Sequence, residues 1–257
     1  MIAVRQTWQM ALRPLRVLRR QPAFLGITLT QPIIWLLLFG ALFKAVSKIP
    51  GFHGGSYVDY LTPGIVVMLA ISSSGWTGIT FIEDINGGVM DRVLASPVWR
   101  GAMNAGAVIY AIVTIVIQTT LLLLLALALG ADYKGGVGGV LILVVLAALL
   151  GAAFASLSNG IAVLAPQRET LIGAVSLVVL PVTFLSSALM QQSLVPGWIQ
   201  TVSKFNPVNW AVEASRAATS GSLDWGVVAS RTGLLVALAL VCATFATRAF
   251  GTYQRSL

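Results

Sequence analysis

The stretch EDINGGVMDRVLASPVWR, residues 83–100, separates two long apolar runs and gathers five charged side chains in a chain whose charged residues make up only 9%. Gly87-Gly88 carries high backbone entropy and no side chain to pack, so the pair ends the incoming helix. Val89, Met90, Val93 and Leu94 then fall at i, i+1, i+4 and i+5, the apolar flank of a short helix, with Asp91 and Arg92 off that flank. Pro97 drives Ser96 out of the helical region and closes the element. The spacing predicts a helix of one to two turns lying across a membrane mouth and serving as a docking knob.

Around this stretch the chain is 57% hydrophobic over 257 residues, with mean hydropathy +0.90. A soluble domain of that composition would expose large apolar patches. A hydrocarbon core of about 30 Å takes about 20 apolar residues per helix. Six such runs are expected, at about 23–46, 61–82, 103–129, 140–165, 170–190 and 228–247, in one membrane domain over residues 1–257. The run after residue 23 is too long for a signal-peptide core and is expected to be a retained span.

The formal charge of +8 sets topology rather than binding nucleic acid, because no basic patch is interleaved with stacking aromatics. With the N terminus in the cytosol, ten of the sixteen basic residues fall inside, among them Arg5, Arg13, Arg16, Arg19, Arg20, Arg92 and Arg100. Both termini are therefore expected in the cytosol of a multi-pass plasma-membrane protein, with residues 83–100 on the same side. Cys242, the single cysteine, permits no disulfide within the chain and reads as a small buried hydrophobe.

Residues 1–21 form an amphipathic prelude. Val4, Trp8, Ala11, Leu12, Leu15 and Leu18 share one helical face and Gln9, Arg13, Arg16 and Arg20 the other, the pattern of a helix in the membrane interface, which Pro14 is expected to kink. Ser72, Ser73, Ser74 and Trp76 in the second span and Gln118 in the third are polar notches, as is Ser186 at the end of the fifth. Small and hydroxyl residues serve close helix packing, the commoner use, or line a translocation pathway. Residues 191–227 are too long for a turn and too polar for a span. Pro196 and Gly197 open one short helix carrying Trp198, and Asn206, with Pro207 in the first helical position, caps a second carrying Trp210. Glu213 and Arg216 stand three apart and can pair on its surface.

No apolar run carries a charged residue near its middle, so the intramembrane carboxylate or histidine that couples an ion gradient to transport is missing. His53, the one histidine, rules against a histidine-based catalytic or metal site. No nucleophile and base stand at recognisable spacing, the Gly-rich loop 135–139 lacks the Lys-Ser/Thr of a phosphate loop, and the chain reads as a non-enzyme without cofactor or metal of its own. Uphill movement would then draw its energy from another subunit.

Two motifs carry a family resemblance: Glu83-Asp84, Gly87-Gly88-Val89, Asp91-Arg92-Val93-Leu94, Ser96-Pro97-Val98 and Arg100 form the first. The second is Pro196-Gly197-Trp198-Ile199-Gln200 with Phe205-Asn206-Pro207-Val208-Asn209-Trp210-Ala211 and Glu213-Ala214-Ser215-Arg216. In this order and spacing they resemble the permease subunits of ABC-2 type exporters, especially the daunorubicin-resistance branch, over the whole chain. The resemblance implies a six-span all-α membrane domain that pairs with a second permease subunit and with two ATP-hydrolysing subunits, which hold the ATP and Mg. It implies that Glu83, Asp84, Asp91 and Arg92 make polar contacts with the ATPase while Val89, Met90, Val93 and Leu94 supply the apolar seat. It further implies that the two helices in 191–227 re-enter from the outside. Many relatives carry Glu-Arg-Glu before the glycine where this chain has Glu83-Asp84-Ile85-Asn86, which bears on the charge partners rather than on docking. The expected cargo is an amphipathic drug or a lipid. The competing readings are a polysaccharide or glycolipid exporter of the same family, an ion-coupled multidrug carrier, and a membrane scaffold.

Overall fold

In hydrocarbon a backbone amide finds no water, so each apolar run must satisfy its own N–H and C=O groups, and a helix does this within one segment. The computed structural model describes residues 2–43, 56–90, 101–191, 195–221 and 224–256, and every regular element among them is an α-helix. In chain order these are α1 (Ile2–Arg20), α2 (Pro22–Leu42), α3 (Tyr57–Gly75), α4 (Thr77–Asn86), α5 (Gly101–Ala128), α6 (Gly136–Leu164), α7 (Arg168–Phe184), α8 (Gly197–Ser203), α9 (Pro207–Thr219) and α10 (Trp225–Ser256). Among the described residues, five segments are long and apolar enough to cross a membrane: Leu25–Leu42, Tyr57–Asn86, Gly101–Ala128, Gly136–Leu164 and Trp225–Gly251.

The centre of the bundle is α6, which packs against α3, α4, α5, α7, α9 and α10. Its buried residues include Gly139, Ala147, Gly151, Ala155, Ser156, Ser158, Asn159 and Ala162, and such small side chains let helices approach closely where no hydrophobic effect drives them together. By contrast α2 and α10 lie at the periphery, with 11% and 17% of their spanning windows buried. Pro14 and Pro32 leave α1 and α2 as uninterrupted helices, so the proline at position 14 does not break the amphipathic helix.

The second span is broken between α3 and α4 at Trp76, and the break is sutured from α6. Ile79 N–H turns to Trp76 C=O at 3.1 Å, releasing the Gly75 carbonyl from its usual helical donor. The Ser158 hydroxyl donates to that Gly75 oxygen at 2.5 Å and accepts from Gly78 N–H at 3.1 Å. A Cβ at residue 78 would stand 2.6 Å from Ser158 O, so glycine is what lets the two backbones meet.

A sixth crossing over 170–190 does not appear as one helix. The 17-residue α7 ends at Phe184, about 25 Å long at 1.5 Å per residue, and residues 185–190 bend away. Side chains of α9 and α3 compete for the backbone there. Asn206 Nδ2 donates to Val182 O at 2.6 Å, and Asn209 Oδ1 accepts from Ser187 N at 3.0 Å. Arg216 donates to Tyr60 O, Ser187 O and Ala188 O at 3.1, 2.8 and 3.0 Å, with its guanidinium carbon 3.5 Å from the Tyr60 ring centroid. The Tyr57 and Tyr60 hydroxyls donate to Leu189 O and Ser187 O, each at 3.2 Å. Gly64 admits the strand of backbone, since a Cβ at that position would fall 2.1 Å from Ala188 O. Arg216 is thus turned into the protein rather than held on the surface of α9, and the salt bridge of Glu213 runs to Arg231 of α10 at 2.9 Å. As expected, Asn206 caps α9, its side chain accepting from Val208 N at 2.9 Å, with Pro207 in the first turn.

Outside the spans, Ser56 and Asp59 form a capping box on α3, and Asp59 also accepts from Asp132 N at 2.8 Å, tying the α5–α6 loop to the start of α3. Tyr133 in that loop is pushed up to about 12, chiefly by burial and in part by Asp59, so its phenol stays protonated.

Ser158→Ala leaves two buried backbone groups without their partner and is expected to destabilise the protein by roughly 2 kcal/mol, measured by denaturation in bicelles. Arg216→Gln should cost about 2–3 kcal/mol in the same assay. Arg216→Lys should not restore it, because a single ammonium cannot fork to three carbonyls.

Candidate functional site

Two regions carry the polar chemistry that packing alone does not use. One lies at the end of α4. Gly87 N–H bonds Glu83 O at 2.9 Å and Gly88 N–H bonds Ile85 O at 3.0 Å, while Gly88 adopts φ +64°. That left-handed conformation ends the helix and suits glycine; the chain is helical again at Val89 and Met90. The predicted bend at Gly87-Gly88 is therefore where the structure turns.

Of the residues named for docking, Glu83 is exposed and Asp84 half-buried. Asp84 Oδ1 accepts from Arg13 Nη1 at 2.9 Å, an ion pair between residues 71 apart that spacing could not reveal. Val89 is half-buried, whereas Met90 is fully buried among Phe81, Ile82, Met103, Leu171 and Phe250. Its side chain anchors the bend to the protein's own core rather than facing outward. Asp91, Arg92, Val93 and Leu94, with the rest of the loop to Arg100, lie outside the described residues, as does His53.

Beside this bend, α1 packs across the start of α5 through a stripe centred on Ala11 and Leu18, at Gly106, whose missing Cβ makes room for Met10. Val4 and Trp8, expected on the same apolar face, remain 74% and 53% exposed. The apolar sector of α1 is thus wider than the surface that receives it.

The other region is a cleft of about 210 Å³ between α2 and α3, lined by Thr28, Gln31, Trp35, Ser72, Ser73 and Trp76. Pro32, which lines the same cleft, has no N–H to offer the Thr28 carbonyl. Gln118 of α5 forms the floor: it is fully buried, accepts from Ser73 Oγ at 2.8 Å and donates to Thr28 Oγ1 at 2.7 Å. Three spans are joined through one amide. Of the six residues expected to be pathway-lining, Ser72, Ser73 and Trp76 line this cleft and Gln118 underlies it. Ser74 is buried and donates to Ala70 O at 2.6 Å in its own helix. Ser186 donates to Thr183 O at 2.6 Å and accepts from Ala188 N at 3.2 Å, holding the bend after α7.

A second buried polar group joins α5 to α6, with Asn159 Nδ2 donating to Asn104 Oδ1 at 2.9 Å and Asn104 Nδ2 to Ser156 Oγ at 3.3 Å. Its members are scattered singly through apolar sequence, and only the i, i+3 spacing of Ser156 and Asn159 hinted at it. Pro196 is the N-cap of α8, whose Trp198 is exposed, and Trp210 of α9 donates from Nε1 to Lys204 O at 2.6 Å. No group of three or more metal-ligating side chains occurs among the described residues.

Comparison with known proteins bears on this arrangement directly. The chain is 29% identical over 233 residues to a daunorubicin resistance ABC transporter permease of Streptomyces coeruleorubidus, covering 88% of this chain and 80% of that protein. It is 24% identical to the "Probable doxorubicin resistance ABC transporter permease protein DrrC" of Mycobacterium tuberculosis, over 88% of this chain and 79% of that one. An inner membrane transport permease of Escherichia coli is 26% identical over 87% of this chain and 89% of its own length. The family model described as ABC-2 type transporter matches residues 5–219, from the amphipathic α1 through the last residue of α9, and the chain belongs to that family.

Proposed function

We propose that this chain is the membrane-spanning permease subunit of an ATP-driven exporter of amphipathic drugs or lipids. Separate nucleotide-binding subunits, two per complex with a second permease copy or homologue, supply the energy, and the chain itself hydrolyses nothing. The observation that carries this reading is the end of α4, where a glycine bend anchored by Met90 and pinned by Arg13–Asp84 presents the loop that follows. The relatives named for daunorubicin and doxorubicin resistance support a drug cargo.

In this reading α7 and residues 185–190 together make the short fifth of six crossings, with both termini in the cytosol, and α8 and α9 re-enter from the outside. Glu83 and the loop after Gly88 meet the ATPase, and the Arg13–Asp84 pair fixes the angle at which they do so. ATP closes its own dimer, the docked loops are drawn together, and rigid helices carry the movement to the α2–α3 cleft. Ser72, Ser73 and Trp76 contact cargo there. The absence of charge from the middle of the spans favours an uncharged or weakly charged molecule in contact with lipid, and the small cleft disfavours a long glycan.

Asp84→Arg should lower drug export severalfold, and Arg13→Asp in the same chain should restore much of it, since a charge swap rebuilds the pair. Both are read by efflux from cells co-expressing the ATPase. Transport that survives ATP depletion but collapses with the proton gradient would sink the reading. Trp76→Ala should lower export while leaving co-purification of the ATPase unchanged, which separates cargo contact from docking.

A further inference from the structure

Between α1 and α2 there is a single non-helical residue, Gln21, and its N–H still bonds Val17 O at 3.0 Å. Arg20 therefore stands five residues before Leu25, where the first apolar window begins. A side chain so close to the start of a crossing lies at the level of lipid headgroups. Gln9, Arg13, Arg16 and Arg20 line one open groove of about 480 Å³ along α1, together with Leu12 and Val17. All four polar residues are exposed. Arg13 spends one guanidinium nitrogen on Asp84, while Arg16 and Arg20 meet no acidic partner among the described residues.

Two neighbouring guanidiniums such as Arg16 and Arg20, with no acid beside them, cost repulsion wherever solvent screening is incomplete. A phosphate would remove that cost and accept the forked hydrogen bonds a guanidinium offers. Acidic protein could also supply the charge, but two features favour lipid. The groove abuts the point where the chain enters the bilayer. The same helix exposes Val4, Trp8 and Val17, at 74%, 53% and 51%, apolar side chains that acyl chains would cover. We propose that this groove binds the phosphate headgroup of an anionic glycerophospholipid from the leaflet at which α2 enters, held by Arg16 and Arg20. Arg13 lies between that phosphate and Asp84, so lipid charge and the carboxylate draw on the same guanidinium, and the composition of the leaflet reaches the bend at Gly88 through it. The binding step needs neither the ATPase nor a cargo.

The test uses the full-length permease in phosphatidylcholine nanodiscs doped with phosphatidylglycerol, with retained lipid identified by native mass spectrometry and thermal stability followed in parallel. Phosphatidylglycerol should be retained over phosphatidylcholine, with a preference that falls as salt is raised. Arg16→Gln with Arg20→Gln should reduce that preference by about fivefold per arginine, and Arg16→Lys with Arg20→Lys should keep most of it. Three results would overturn the proposal. One is an unchanged preference in the glutamine variant. Another is equal loss of both lipids with a fall in thermal stability, the signature of damaged packing. The third is stabilisation of detergent-solubilised protein by inorganic phosphate to the same extent as by short-chain phosphatidylglycerol, which marks a free-anion site. If the glutamine variant instead keeps its lipids but sheds a co-purifying soluble subunit, the groove is a protein interface and the proposal fails.

Discussion

Everything in this bundle depends on what happens to a helix's backbone when the helix stops inside a low-dielectric layer. Each broken turn releases carbonyls and amides that cost several kcal/mol if left bare. The fold breaks helices at Trp76 and after Phe184, and closes both wounds with side chains from other elements. Ser158 of α6 does so at the first, and Asn206, Asn209, Arg216 and two tyrosines at the second. The helices donating these side chains are fixed in register by the need to reach. A one-residue slip of α6 would turn Ser158 away from Gly75 and put Leu157 or Asn159 in its place.

The two sutures divide the molecule into parts of different stiffness. Packed against six other helices, α6 carries the small residues that bring backbones together. Outward of it, α9 is bound to α6, α10 and α3 and staples the end of α7. More loosely held, α2 meets the bundle through Leu29, Leu36, Ile33, Trp35 and Phe39 and the Gln118–Thr28 hydrogen bond while most of its surface faces away. The cleft therefore has one firm wall and one loosely held wall, and the polar groups that line it lie on both.

Much of this was legible in the sequence. Runs of apolar residues located five of the six expected spans to within a few residues, Gly87-Gly88 marked the bend, and Asn206-Pro207 marked a capped helix start, because each of these signals is local. The pairings were hidden. Arg13 meets Asp84 across 71 residues, and Ser158 serves Gly75 across 83. Arg216 looked like a surface partner for Glu213, since i, i+3 spacing says who can touch along a helix but not which way a long side chain turns when carbonyls await it elsewhere. Met90 misled for the same reason: an apolar side chain past a bend can face a partner or its own core, and Met90 faces the core. The shortened α7 was invisible because what ends it belongs to α9 and α3, not to its own sequence.

The one-residue corner at Gln21 has a mechanical meaning. Two helices joined by a single residue have almost no slack in distance between them, so a displacement of the end of α1 is passed to the start of α2. Since α2 is the loosely held wall of the cleft, a displacement at Arg13 and its neighbours would reach Gln31 and Trp35 along α2 without passing through the packed centre around α6.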